Sequence, residues 1–143
     1  MLRLSKLGDY ATVIMSRIAS QPDVAYSASK LAQELDVPQP TVAKLLKLLA
    51  KGRVLTSVRG VKGGYLLARS PREVSLADVI AAVEGVPGLT ECINSPGACS
   101  LESRCNMRRS WPAINSVVVG ALASVSLAQV GETWRPLRRP DAG

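Results

Sequence analysis

The chain reads as mainly α-helical with one small β-hairpin. Three observations carry that class. Apolar residues recur at helical spacing in several separate stretches. Two short β-prone runs flank the glycine-rich turn Gly60-Val61-Lys62-Gly63-Gly64. The stretch Ser110–Gly131 is uncharged and strongly apolar. Together they predict a winged helix-turn-helix over residues 1–75, a cysteine loop and long C-terminal helix over 76–130, and a flexible tail over 131–143.

Residues 9–20 form the first predicted helix, with Tyr10, Val13, Ile14 and Ile18 on one face. Gln21-Pro22-Asp23 ends it. Ser27 is placed to cap a second helix, whose Ala28, Leu31, Ala32 and Leu35 follow the i, i+3, i+4, i+7 rule. After the turn Asp36-Val37-Pro38, a third helix begins near Gln39, with Pro40 in its first turn where no amide donor is needed. Val42, Leu45, Leu46 and Leu49 share its apolar face, and Lys44, Lys47 and Lys51 fall on the opposite side. A solvated lysine face explains that pattern by itself. The order helix, short turn, basic-faced helix equally describes a helix-turn-helix, whose second helix enters the major groove. The runs Val54–Arg59 and Tyr65–Ala68 then give a hairpin directly after that helix. A hairpin there is a wing, and its tip offers Arg59, Lys62 and bare glycine backbone for close approach to phosphates or a minor groove. The expected DNA contacts are Gln39, Thr41 and Lys44 on the helix and Arg59 and Lys62 on the wing.

The charge distribution agrees. Residues 1–75 carry 12 basic and 5 acidic side chains, the whole of the net charge of +7, whereas residues 76–143 carry 6 of each. Charge alone is also compatible with a role in solubility, but its confinement to the segment with the helix-turn-helix pattern points to a polyanion, here double-stranded DNA.

Ser75 is placed to cap a fourth helix bearing Leu76, Val79, Ile80 and Val83, with Gly85 at its end. Next comes Cys92–Cys105, which contains all three cysteines, Cys92, Cys99 and Cys105, among the turn formers Asn94, Ser95, Pro96 and Gly97. The start of the chain has no apolar block followed by a cleavage site, which predicts a cytoplasmic protein. In that compartment an odd number of clustered thiols binds metal or does redox chemistry rather than building a disulfide framework. Beyond the loop, Ile114, Val117, Val118, Ala121, Leu122, Val125 and Ala128 make one long apolar stripe. It reaches the length of a membrane span. Asn115, Ser116, Ser124, Ser126 and Gln129 argue against insertion, and packing against a second copy of the chain accounts for the stripe better. There is no C-x-x-C pair, no histidine and no glycine-rich nucleotide loop after a strand, so an enzyme is not expected, nor a small-molecule substrate.

Three passages carry a family resemblance: the opening Met1-Leu2-Arg3-Leu4-Ser5-Lys6-Leu7-Gly8-Asp9-Tyr10-Ala11, the wing Ser57–Leu67, and the spacing C-x6-C-x5-C followed by Trp111. Over about residues 1–130 the chain resembles the iron–sulfur winged-helix repressors that include the Isc, nitric-oxide-sensing and SUF-system regulators, and its opening is most similar to the SUF-system branch. The resemblance implies a homodimeric repressor of cluster-assembly genes holding an iron–sulfur cluster, 2Fe–2S or 4Fe–4S, on Cys92, Cys99 and Cys105. The histidine that Isc regulators place three residues after the third cysteine is Arg108 here. In the nitric-oxide-sensing branch an aspartate near the other subunit's N-terminus is a ligand, and Asp9 matches it. Asp9 is therefore the fourth candidate, although a first-turn carboxylate also suits the helix dipole; Glu91 and Glu102 are weaker candidates. Cysteine–carboxylate zinc and thiol oxidation without a cluster remain alternatives, as does sensing of nitric oxide.

Overall fold

The computed structural model describes residues 3–135. Five helices longer than two turns and one hairpin account for most of it: α1 Lys6–Ser20, α2 Ala28–Leu35, α3 Gln39–Lys51, β1 Leu55–Val58, β2 Gly64–Leu67, α4 Leu76–Glu84, the single turn α5 Glu91–Asn94, α6 Trp111–Ala123 and the shorter α7 Leu127–Thr133.

The helix starts follow local chemistry. Ser5 Oγ accepts from the Gly8 amide, Ser27 Oγ from Lys30, and Ser75 Oγ from Asp78, whose carboxylate returns a bond to the Ser75 amide as a capping box. Asp36 turns α2 toward α3 in the left-handed region at φ 54°. The expected apolar face of α3 is buried in full at Val42, Leu45, Leu46 and Leu49. On α1 the buried face is rotated from the expected one. Ala11, Ile14, Met15 and Ile18 are buried, whereas Tyr10 and Val13 are half-buried. The cause is that α1 is covered by both α4 and α7.

β1 and β2 pair antiparallel, Leu55 opposite Leu67 and Val58 opposite Gly64. A third piece of backbone extends this ribbon: Tyr26 and Tyr65 exchange amide–carbonyl bonds of 2.9 and 2.8 Å. The wing is thereby tied to the segment between α1 and α2, and a two-stranded ribbon gains a third partner.

The C-terminal region departs from expectation. Ser110–Gly131 is not one long helix. It breaks at Ser124-Val125-Ser126, and α7 starts afresh with a capping box in which Ser126 and Gln129 bond reciprocally. The break is held from outside: the Leu76 amide donates to Val125 O at 3.0 Å, and the Leu127 amide donates to Val74 O at 2.8 Å. Leu127 is thus buried in the same core as Ile14, Leu45 and Val79. One core therefore draws on residues before and after position 75.

Gly131, expected to begin a loose tail, is buried within α7; of that tail only residues up to 135 are described. A Cβ on Gly131 would meet the Ala19 backbone, its carbonyl carbon at 2.9 Å and oxygen at 3.0 Å. Alanine in a helix interior ordinarily gains up to about 1 kcal/mol over glycine. Here overpacking reverses the sign, and Gly131→Ala is expected to destabilise the chain by about 1–3 kcal/mol. Urea denaturation checks this, and an unchanged or raised midpoint rejects close α1–α7 packing.

The Arg17 guanidinium lies over both the Tyr26 and the Trp134 ring, 5.1 and 4.6 Å from their centroids, while its Nε donates to Glu34 Oε2 at 2.9 Å. Among the described residues no helix is long and apolar enough to cross a membrane.

Candidate DNA interface and cysteine loop

Burying the apolar face of α3 leaves its other side outward. Gln39 and Lys44 are exposed and Thr41 is half-buried. On the wing Arg59 and Lys62 are exposed, and Val61 between them at the tip is fully exposed. The reversal at the tip needs glycine twice. Gly60 has φ +116°, and a Cβ on Gly63 would strike the Val58 carbonyl. Among the described residues, Lys44, Lys47, Lys51, Arg53, Arg59 and Lys62 form no ion pair. Arg53, which sequence reasoning passed over, stands in the turn between α3 and β1 at φ 61°; no local pattern marks a left-handed arginine.

The cysteine loop begins where α4 ends. Gly85 takes φ +83°, and the chain runs through Pro87-Gly88-Leu89 into α5, which carries Cys92. All three thiols are free. Cys92 and Cys99 are half-buried and Cys105 is exposed. Thr90 Oγ1 lies 3.1 Å from Cys92 Sγ. Glu102 clasps the middle of the loop: its Oε2 accepts from the Gly97 amide at 2.6 Å, and its Oε1 lies 3.6 Å from Arg108. Both carboxylate oxygens are engaged, so Glu102 acts here as a brace. Arg108, at the position where the resemblance called for comparison with a histidine, is its partner.

Asp9 lies in the first turn of α1, exposed. The start of that helix touches the root of the loop, because the Ser5 hydroxyl donates to Glu84, the last residue of α4. Sequence reasoning missed this link and a second one. Asn115 of α6 is buried, and its amide bonds to Pro87 and Leu89, 28 and 26 residues earlier.

The donors suit a thiolate-bound metal or cluster in kind: three sulfurs free of disulfides within one short segment, and carboxylates for a further position. They are not yet in place. Among the described residues no three Cys, Asp or Glu side chains are grouped so as to hold a metal ion. Gathering the sulfurs requires the loop to rearrange.

A helix-turn-helix with a wing, followed by a cysteine loop, is the arrangement covered by a family model described as Rrf2, iron-dependent transcriptional regulator, which matches residues 4–133. The chain belongs to the Rrf2 family. The IscR regulator of Photorhabdus laumondii is 28% identical over 130 residues, 90% of this chain and 79% of that protein. A helix-turn-helix regulator of Synechocystis sp. is 33% identical over 84 residues, and the match spans only 57% of its length. Among solved structures, T. potens IscR superposes with a TM-score of 0.68 at 26% identity, covering 92% of this chain and 87% of that one. CymR of B. subtilis gives 0.73 at 24% identity, 94% of this chain and 100% of that one, a likeness of fold. These Rrf2 relatives are transcriptional regulators and not enzymes, and the family assignment makes this chain a DNA-binding transcriptional regulator.

Proposed function

We propose that this Rrf2 protein is a homodimeric, cytoplasmic repressor of iron–sulfur cluster assembly genes, and that it reports the state of its cysteine loop to DNA. The observation that carries the reading is the position of the loop. It is spliced between α4, which packs in the winged-helix core, and α6, a helix with Asn115 as its sole buried residue. Ile114 and Val117 of α6 are 38% and 73% exposed. An apolar helix left so bare suits a second copy of the chain, and two-fold pairing sets two recognition helices against two half-sites.

Cys92, Cys99 and Cys105 would hold the cluster, 2Fe–2S or 4Fe–4S, with the partner subunit's Asp9 as the oxygen ligand. When bound, the cluster supplies an iron held by a weaker ligand than the rest, which gives oxygen, nitric oxide or cluster loss a point of entry. The chain's own residues do the remainder. Arg104, Arg108 and Arg109, in and just after the same segment, would offset the negative charge of a bound cluster. Drawing the sulfurs together would move the loop that Glu102 braces, so that the braced loop and the ligated loop would be two arrangements. Each presents α4 and α6 with a different root, and this biases the spacing of the two α3 helices.

Anaerobic purification followed by an absorption spectrum and iron, sulfide and zinc assays on one sample tests the sensor. Visible bands with matching iron and sulfide are expected. A colourless protein with neither, even after reconstitution, removes the cluster and leaves the second reading: zinc, or oxidation of thiols that are free and in part exposed.

For DNA, Gln39, Thr41 and Lys44 read the major groove, and Arg59 and Lys62 hold the wing against backbone or minor groove. Lys62→Ala is expected to weaken binding to all duplexes by a similar factor and to lower the slope of log affinity against log salt by about 0.9. Fluorescence anisotropy across a salt series checks it. A wild-type slope takes the wing tip off the interface.

A further inference from the structure

Asn115 is the one buried polar side chain among the described residues, 9% exposed on an otherwise apolar helix. Both ends of its amide leave the helix for the root of the cysteine loop. Oδ1 accepts from the Leu89 amide at 2.9 Å, and Nδ2 donates to the Pro87 carbonyl at 2.9 Å. Two bonds from one planar group, one given and one received, fix the direction of segment 87–89 as well as its distance. Apolar packing would let the segment slide.

This grip lies on a short path. Cys92 is three residues beyond Leu89, and Thr90 between them touches Cys92 Sγ. Asn94 Nδ2 returns to Gly88 O at 3.1 Å, so the first turn of the loop and its root move as one piece. On the other side of Asn115, α6 runs to the Ser124 break, where Val125 and Leu127 are bonded to Leu76 and Val74. From there Leu127 enters the core that also seats α3. A rearrangement of the loop that shifts Cys92 pulls on segment 87–89, and the shift reaches α6 through the Asn115 amide.

We infer that Asn115 is the positioning residue that couples the Cys92–Cys105 loop to α6 and so to the frame carrying the recognition helix. The inference rests on the reading of the loop as the sensor. Coupling is reciprocal, so DNA bound at α3 must also alter the root of the loop.

The test uses the full chain, with a duplex recovered by selection from a random-sequence pool. DNA affinity is measured for two loop states, reconstituted with iron and sulfide or alkylated with iodoacetamide, in wild type, Asn115→Leu and Asn115→Asp. The ratio between states is expected to be about 5- to 150-fold in wild type. It falls toward one in Asn115→Leu while at least one state still binds DNA. Asn115→Asp keeps the acceptor for Leu89 but loses the donor to Pro87, and its ratio lies between. A role in stability alone would lower the unfolding midpoint and leave the ratio intact. A wild-type ratio preserved in both variants, with the Leu89 amide exchanging faster, overturns the coupling and spares the sensor. A wild-type ratio of one overturns the sensor and the coupling together. A measurement without variants covers a failure of both to fold: on the wild-type protein, adding the duplex changes hydrogen exchange at Leu89. No change there overturns the inference.

Discussion

Gly64→Ala destabilises the chain by about 2–4 kcal/mol, among the larger costs a single side-chain change can carry. Two terms add. Gly64 has φ +147°, a conformation that side chains with a Cβ rarely adopt, and the new methyl would be driven into the Tyr26 carbonyl. Relief would have to come from parting Tyr26 and Tyr65, which are joined by two backbone bonds of 2.9 and 2.8 Å. Gly60→Ala is the control. Gly60 has φ +116°, but a Cβ there would meet nothing within 4 Å. It is expected to lose about 1 kcal/mol, the backbone term by itself. Thermal unfolding of both variants separates the terms, since equal midpoints would mean that the close approach to Tyr26 carries no energy. DNA affinity should fall with Gly64→Ala even below its unfolding midpoint, because the wing is then held by β1 alone.

The second large effect concerns the loop. Replacing Cys92, Cys99 and Cys105 together with alanine is expected to abolish iron and sulfide binding and to leave one DNA affinity in place of two. The difference lost is about 5- to 150-fold, the range that 1–3 kcal/mol of coupling provides. The variant should fold normally, because no cysteine is buried and none is in a disulfide. Anisotropy titrations against wild type in both loop states decide the matter. If the triple variant binds operators as the reconstituted protein does, loop state and DNA affinity are not linked.

Much of the fold was legible locally. Ser27 and Ser75 announce α2 and α4 because a hydroxyl accepting an orphan amide acts over only three residues. The wing follows from alternation and glycines, and its strands fall within a residue or two of expectation. The apolar face of α3, and with it the outward lysines, comes from periodicity alone. On α1 periodicity pointed to Tyr10 and Val13 where the chain buries Ala11 and Met15. A helix covered from two sides has a broad buried arc, and its centre is set by its neighbours.

What the chain determined by itself is therefore what short-range forces settle: caps, turns, the hairpin, the basic face, and the collection of three thiols in one segment. What only the tertiary structure decided are the relations between segments far apart in sequence. The break at Ser124 lies inside a run with no charged residue that reads as one helix, and the Ser126–Gln129 capping box restarts the helix after it. It is made by bonds to Val74 and Leu76 and by room for Leu127 in the core. In the sequence Asn115 is one of several polar residues that argue against membrane insertion. Its partners are 26 and 28 residues away, and no window of sequence contains both ends of such a bond. Periodicity reports which side of a helix is apolar, and packing alone decides what that side meets.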